Sequence, residues 1–477
     1  MTKNSSFLND IHKGNDTTND RLEMKSKHIN ASFSTGQFYF KGSFNENIEE
    51  FYGGLPSISD GTQYLRRNNH FKMGCKNQVT PFFFYDINLM FNQFSLRVDF
   101  DWNSPGHNFT RGNSTTYEIE GLTVLNFSKY FDITNGFCLR KTNDLHFFGL
   151  LDKLNIYSID NVDDNIKTIS FFSQANYMPH EKFKLVIGCR FEKLLKYDFL
   201  HEEIENNPEI REYDQDYIEF IPRLAAIYKL TPNHIFKLLY GKANSRPSFF
   251  QIRDQIIGKK GNLQSEYIQT FELNYQSLVF QNVLITSSLF YNILDNLIER
   301  KLLIEDNRVT IYGTNGGKLI TKGMEFSTQI NYPTQLKTEF SLTWQQTDDQ
   351  RNLYKDTEVP YSPHFLGYVK ASYEFKDNYL VSITANYVDD MVTQWDEAHV
   401  NPDGSLGGRV GEKTDDYFLV NATFRKDNFF QKGCFLSIHG SNIFDKSFLH
   451  PTNSANFFEK GSIGQGRLLM LTVGMNF

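Results

Sequence analysis

A chain of 477 residues carrying 45 Phe, 25 Tyr and 3 Trp is too aromatic for a disordered polypeptide. Only 40% of it is hydrophobic and its mean hydropathy is −0.46, so no stretch approaches the roughly 18 to 20 apolar residues of a membrane-spanning helix. A net charge of −7 without a basic stripe argues against a nucleic-acid partner.

Residues 1–27 are polar and form a segment of their own. MTKNSSFLNDIHKGNDTTND lacks the apolar core of a secretory signal peptide, which taken alone implies a cytoplasmic chain. The remaining residues point elsewhere. From residue 28 onward, apolar and polar residues alternate at period two in several windows, the signature of half-buried strands. Nineteen strands are predicted in chain order, near 28–34, 37–44, 70–91, 93–103, 115–128, 131–141, 166–178, 182–195, 215–229, 234–241, 266–280, 282–304, 308–332, 335–347, 365–376, 378–389, 415–426, 433–443 and 466–477. In 182–192, Phe183, Leu185, Ile187, Cys189 and Phe191 oppose Lys182, Lys184, Arg190 and Glu192. In 365–376, Phe365, Val369, Ala371, Tyr373 and Phe375 oppose Tyr368, Lys370, Ser372 and Glu374. The last strand sets Leu469, Leu471, Val473, Met475 and Phe477 against Thr472, Gly474 and Asn476. No long segment repeats at 3.6 residues, so the fold class is all-β. Cys75, Cys138, Cys189 and Cys434 are far apart without metal spacing; they read as single apolar strand positions, with no disulfide expected.

The connections sort by length. Ser34-Thr35-Gly36, Gln281, Pro333-Thr334 and Asp377 are tight, whereas 45–69, 196–214, 242–265, 390–414 and 444–465 are long and polar. Tight turns alternating with long loops gather every long loop at one end of an up-and-down sheet. That is the arrangement of an antiparallel transmembrane β-barrel of the outer membrane, with short periplasmic turns and long external loops. A soluble sandwich does not sort its loops this way, and no blade-length repeat supports a propeller. Closure is compulsory in lipid, because an open edge leaves backbone groups unpaired. Phe44, Phe91, Tyr177, Tyr332, Phe375 and Tyr387, near strand ends, are expected to form interfacial girdles.

Several ordered motifs then carry a resemblance. Asn244-Ser245-Arg246-Pro247-Ser248-Phe249-Phe250, followed by Gly261-Asn262-Leu263-Gln264-Ser265-Glu266, resembles the Arg-Ala-Pro-Ser and Asn-Pro-x-Leu-x-Pro-Glu region of TonB-dependent outer-membrane receptors. Tyr267 to Tyr275 resembles the strand that comes after it, Asn315 with Gly323-Met324-Glu325 the Asn…Gly-x-Glu segment, and Val359-Pro360-Tyr361-Ser362-Pro363-His364 a later loop. Asn442-Ile443-Phe444-Asp445-Lys446 resembles the family's late Asn-Leu-Phe-Asp turn, and the terminal Phe477 its signal for the barrel assembly machinery. The resemblance covers about 28–477 and implies the family's 22-stranded barrel, about three strands more than the nineteen counted. It implies structural roles for Arg246, Pro247, Ser248, Asn262, Leu263, Glu266, Gly323, Glu325, Asn442, Phe444, Asp445 and Phe477. Residues 1–27 resemble neither the family's plug domain nor its TonB box or signal peptide, so the chain is expected to be the downstream part of a longer receptor.

The resemblance implies TonB-driven uptake of a scarce ligand, an iron-siderophore complex before others, by a protein embedded in outer-membrane lipid. Arginine suits anionic chelates and aromatics pack on planar ones. The loop candidates are Tyr64, Arg66, Arg67 and His70 by the 45–69 loop; Trp102, His107 and Arg111 by the 104–114 loop; and Trp395, His399 and Arg409 in the 390–414 loop. Each also reads as an ordinary solvated or girdle residue. Haem ranks lower, because no His lies between Arg246 and Leu263, where the family's haem receptors carry one. No GxSxG, HExxH or P-loop pattern occurs, so no enzyme, cofactor or catalytic residue is expected. Asp348-Asp349, Asp389-Asp390 and Asp415-Asp416 read as solvated charges rather than catalytic or calcium-binding pairs. The competing readings are a plugless passive pore, the remnant of a broken gene, and a soluble β-rich binding protein.

Overall fold

The computed structural model describes residues 24–50, 63–100, 108–151, 156–161, 166–203, 206–249, 251–252, 262–305, 308–332, 335–351, 358–395, 408–451 and 461–475. The chain opens with β1 (Met24–Thr35), β2 (Phe38–Glu50), β3 (Gln63–Gln78), β4 (Phe83–Phe100), β5 (Asn108–Ser128) and β6 (Phe131–Leu151). Next come β7 (Ile156–Asn161), β8 (Ile166–His180), β9 (Phe183–Leu194), β10 (Tyr197–Glu203) and β11 (Asn206–Tyr213). The chain continues with β12 (Glu219–Thr231), β13 (His234–Ser245), β14 (Glu266–Val279), β15 (Val283–Glu305), β16 (Arg308–Asn331), β17 (Leu336–Asp349), β18 (Phe365–Phe375) and β19 (Tyr379–Val388). The last are β20 (Tyr417–Asp427), β21 (Cys434–Ser441), the short pair β22 (Leu449–His450) and β23 (Ser462–Ile463), and β24 (Leu468–Met475).

Among the described residues, 22 strands form one sheet and β22 pairs with β23 separately. Three of the 22 stand outside the main wall. β6 joins β8 along its first half and β7 along its second; β7 joins β10, and β10 joins β11. The wall is therefore a 19-strand antiparallel meander, the number expected from the alternation.

Several boundaries differ from expectation: β2 and β3 run into the expected 45–69 loop, β5 begins inside the expected 104–114 loop, and the third strand ends early. The third strand does not run on through Phe91 to a turn near residue 92. It ends at Gln78, and Phe91 sits inside β4, opposite Phe71. The turn is at 79–82, where Phe83 N donates to Thr80 O at 3.1 Å. Pro81 has no N–H for a ladder, but apolar residues flank it on both sides, so the alternation hides the break.

Tight turns mark one end of the wall. Phe280 and Gln281 have φ of 49° and 64°, and Asp377 and Asn378 have 65° and 63°. Positive φ at both central residues gives the twist that suits a two-residue hairpin. The opposite end is where strands grow long: β5 and β6 have 21 residues each and β16 has 24. About 9 to 11 residues cross a bilayer, and the turns stay tight, so the surplus projects at the loop end.

The two faces of the wall differ as a barrel in lipid requires. One face exposes Phe71, Leu89, Ile119, Phe171, Ile187, Leu238, Leu273, Met324, Phe340, Val369 and Ile383. Edge-to-face pairs such as Phe91–Tyr117, Phe131–Tyr177 and Tyr373–Phe375 lie in line with it. The other face is a lattice of polar bonds. Tyr39 Oη donates to Asp86 Oδ1 at 2.8 Å, Asn274 Nδ2 to Ser288 Oγ at 2.8 Å, and Asn421 Nδ2 to Thr384 Oγ1 at 3.0 Å. The hydroxyls of Ser372 and Ser382 meet at 2.8 Å.

The predicted loop 196–214 is folded instead. It forms the hairpin β10–β11, and Leu194, Tyr197, Phe199, Tyr213 and Ile252 make a small core there, with Leu145, Ile166 and Phe249 packed against it. Burial pushes the Tyr213 hydroxyl up to about 12 and raises that of Tyr197 further. The fold therefore favours neutral tyrosine. Its contribution is complete below the unfolded value near 10 and is lost as pH rises through the folded one. Raising pH from about 10 to about 12 is expected to release this outboard sheet first. Tyrosinate absorbance should rise together with amide exchange in β10 and β11, while the wall strands stay protected.

Candidate functional site

At the loop end side chains tie distant parts of the chain together. Just after β13, Arg246 donates from Nη2 to Glu192 Oε1 at 2.6 Å and from Nη1 to Thr168 Oγ1 at 3.0 Å. Glu192 also takes Arg190 at 2.6 Å. Pro247 comes next, then a single turn in which Ser248 N bonds Gln251 Oε1 at 2.7 Å. That turn delivers Phe249 and Ile252 to the outboard core, where Phe249 meets Phe199 edge-on. Arg246 thus clamps this region to the wall.

The neighbouring motif residues behave alike. Asn262 Nδ2 donates to Asp214 O at 3.0 Å, and Tyr213 Oη donates to the carbonyl of the buried Leu263 at 3.2 Å. Asn315 exchanges two bonds with the backbone of Gln264, and Glu266 Oε1 receives Ile298 N at 2.8 Å. Gly323 has no room for a side chain: a Cβ would sit 2.5 Å from Trp344 O and 2.4 Å from Phe290 Cζ. Glu325 lies on the same polar face, opposite Thr343. Asn442 is buried with φ of 46°; its Oδ1 accepts Lys446 N at 2.9 Å, and its Nδ2 donates to Lys446 O and Gln465 O. Asp445 Oδ1 accepts Arg467 N at 2.8 Å, while Phe444 is 75% exposed. Phe250 and Phe477 lie outside the described residues.

The ligand candidates divide. Tyr64, Arg66, Arg67 and His70 are on strand β3 rather than in a loop. Alternation puts Tyr64, Arg66 and His70 on the polar face, with the exposed Arg66 guanidinium 6.0 Å from the Tyr64 ring. Arg67 is on the opposite face, held by Glu46 at 2.7 Å beside Lys27. Arg111 is on that outer face too, over the Phe109 ring at 4.7 Å. Trp102, His107 and His399 lie outside the described residues.

Trp395 and Arg409 do come together. They form an isolated bridge, and the Arg409 guanidinium stacks on Trp395 at 4.6 Å while donating to the carbonyls of Thr393 and Glu358. Burial holds the Arg409 guanidinium below its ordinary value. Lower in this arm, Met391 bridges Thr414 and Lys413 pairs with Asp390 at 2.7 Å. Arg409 therefore braces the arm as well as presenting an edge to it. Arg409→Ala is expected to cost about 0.5 to 2 kcal/mol of stacking and to raise quenching of Trp395 fluorescence, read in a Trp102→Phe, Trp344→Phe background. Unchanged quenching would contradict the brace.

The carboxylate pairs are engaged by neighbours: Asp349 binds Arg351, Asp348 accepts Gln346, and Asp389 accepts Tyr387. Among the described residues no group of three or more His, Cys, Asp or Glu could hold a metal ion. A recess of about 420 Å³ opens at β12–β14, where Arg223, Ala225, Leu239, Gly241, Ala243 and Ile268 contribute to its lining.

A meander with an apolar outer face, a polar inner face and sorted turns is a membrane β-barrel. A profile of the family described as "TonB dependent receptor-like, beta-barrel" matches residues 3–431, and the chain belongs to that family. No curated protein matches it. Among solved structures it is similar to the ferric citrate transporter FecA in the unliganded form, at 15% identity and a TM-score of 0.72, over 95% of this chain and 70% of that one. It is also similar to the ferric yersiniabactin uptake receptor FyuA from Yersinia pestis, at 13% and 0.71, over 98% and 72%. A third is the pyoverdine outer membrane receptor FpvA from Pseudomonas aeruginosa PAO1, at 13% and 0.68, over 97% and 74%. At these identities the likeness shows the fold.

Proposed function

We propose that the chain is the barrel part of an outer-membrane receptor that takes up a scarce ligand under TonB control, and that the ligand is an iron-siderophore complex. Family membership over most of the chain carries this reading. The rim supports it. Arg66 has no acidic partner among the described residues and stands beside Tyr64 on the polar face, a pairing suited to an anionic, partly planar chelate. Trp395 offers a second flat surface in the arm above. In this reading the plug and the TonB contact come from receptor sequence outside these 477 residues, and the last strand engages the barrel assembly machinery. The chain does no chemistry on its cargo.

The test is uptake of radio-iron in source cells, using ferric citrate, catecholate and hydroxamate siderophores. Disrupting the gene should remove saturable uptake of at least one of them, and an uncoupler should abolish that same component. Uptake that is lost on disruption but unsaturable and indifferent to the uncoupler would establish a passive pore instead.

A further inference from the structure

The outward face of β3–β6 changes chemistry partway up the wall. On β4 the outward positions next to the tight turn are Phe83, Tyr85, Ile87, Leu89 and Phe91, a stretch that matches the about 9 to 11 residues of a membrane crossing. Phe71, Phe91 and Tyr117 close this band as a row of rings, with centroids 6.1 and 5.4 Å apart. The next outward row is polar, and Asn69 Nδ2 donates there to Gln93 Oε1 at 3.2 Å. Cations stand above it. Arg67 lies opposite Ser95, Arg97 lies opposite Arg111, and Lys141 lies opposite Tyr117 at the level of the rings.

Their charge is neutralised in part. Glu46 is shared by Lys27 and Arg67, at 3.0 and 2.7 Å, and Asp99 is held by Arg97 at 2.8 Å. Arg111 is exposed, and neither it nor Lys141 has an acidic partner among the described residues. Like charges directly opposed across a ladder destabilise it, yet Arg97 and Arg111 face each other so. Both lie over the Phe109 ring, their guanidinium carbons 5.8 and 4.7 Å from its centroid. The ring attracts both cations without discharging either. Two neighbouring guanidiniums of this kind suit phosphate, which takes paired hydrogen bonds from each fork.

Height separates the candidate lipids. From Phe91 to Arg97 the strand climbs about 15 Å, at roughly 3.4 Å per residue and a tilt of about 40°. The headgroup layer beyond the hydrocarbon is about 5 to 8 Å thick on each side. A phospholipid phosphate therefore meets Lys141 and stops short of Arg97. A headgroup of phosphorylated sugars spans the whole column. The long loops mark this end of the wall as external, so the lipid belongs to the outer leaflet.

We propose that the outward face of β3–β6 above the aromatic row binds a phosphorylated glycolipid of the outer leaflet. Arg97 and Arg111 grip its phosphates, Arg67 and Lys141 line the column below them, and its acyl chains lie on Phe71, Phe91 and Tyr117. The site continues the lipid-facing surface and lies outside the barrel, so it does not depend on the cargo.

The experiment uses the receptor as isolated from outer membranes of source cells, stripped of lipid in a nonionic detergent. It is titrated with rough lipopolysaccharide, whose inner core is phosphorylated, with phosphatidylglycerol and with inorganic phosphate. The native protein should bind the lipopolysaccharide at least about tenfold tighter than either other probe, the low end of what a hydrogen bond to a charged group contributes. The double variant Arg97→Gln, Arg111→Gln should lose that preference, and Arg97→Lys, Arg111→Lys should fall between, because charge remains and the fork is lost. Lys322→Gln, exposed on the outward face of β16, should bind as the native protein does. Heat-modifiable mobility establishes that each variant is folded. Should the double variant not fold, Arg111→Gln alone carries the test, since its exposed side chain holds no ion pair among the described residues. Unchanged lipopolysaccharide affinity in a folded Arg-to-Gln variant would overturn the proposal. So would phosphatidylglycerol binding as tightly as lipopolysaccharide, or phosphate alone doing so. No readout involves cargo, so failure here leaves the uptake test standing.

Discussion

Leu471→Arg is expected to abolish most membrane insertion, while Lys370→Ala is expected to insert at nearly the native level. Leu471 is 66% exposed on the outward face of β24, opposite Ile438. An arginine on the lipid face of a barrel near the bilayer midplane costs about 2 to 4 kcal/mol, which is a factor of roughly thirty to several hundred in the inserted fraction. Lys370 points to the other face, where its Nζ is 3.4 Å from Glu339 Oε1. Both side chains of that pair are more than a third exposed, so solvent screening holds its worth to about 1 kcal/mol or less. Heat-modifiable gel mobility of outer-membrane fractions checks both variants. Equal losses would contradict the assignment of the two faces.

The second large effect is expected from Arg246→Ala. The Arg246–Glu192 pair is mostly buried, with side chains 19% and 16% exposed. Removing a charged partner from such a bond costs about 1.5 to 3 kcal/mol, offset in part because Glu192 keeps Arg190. The loss should be local. Phe249 and Ile252 reach the outboard core only through the turn that Arg246 anchors, so β10 and β11 should gain exchange and protease sensitivity while β16 and β17 keep theirs. Glu192→Gln should produce the same pattern more weakly. A uniform loss across the wall, or none at β10 and β11, would contradict the clamp.

What the sequence shows and what it hides depend on the range of each interaction. Alternation is local, so Phe365, Val369 and Tyr373 against Lys370 and Ser372 identify β18 and its faces correctly. The same logic passes over the turn at Pro81, because the apolar residues on either side continue the rhythm. β10 and β11 escape it for another reason. Tyr197, Phe199 and Tyr213 are scattered among charges in 197–213, and they become a core only when Phe249 and Ile252 arrive from far along the chain. The family-like motif around Arg246 is recognisable, but its partner Glu192 lies 54 residues earlier. Of the rim candidates, Arg67 and Arg111 stand out by residue type alone. Strand register turns them outward, with Arg67 opposite Glu46 and Arg111 opposite Arg97. Trp395 and Arg409 share one loop in the sequence, and the structure adds that they touch.

The central claim is that this chain is a membrane barrel of the TonB-dependent receptor family, which we propose works as part of a larger receptor. Fractionated source cells probed with an antibody to a C-terminal segment test it most directly. The account predicts a heat-modifiable band in the outer membrane, well above the 55.6 kDa of these residues alone. A band of 55.6 kDa in the soluble fraction, with no outer-membrane signal, would contradict it.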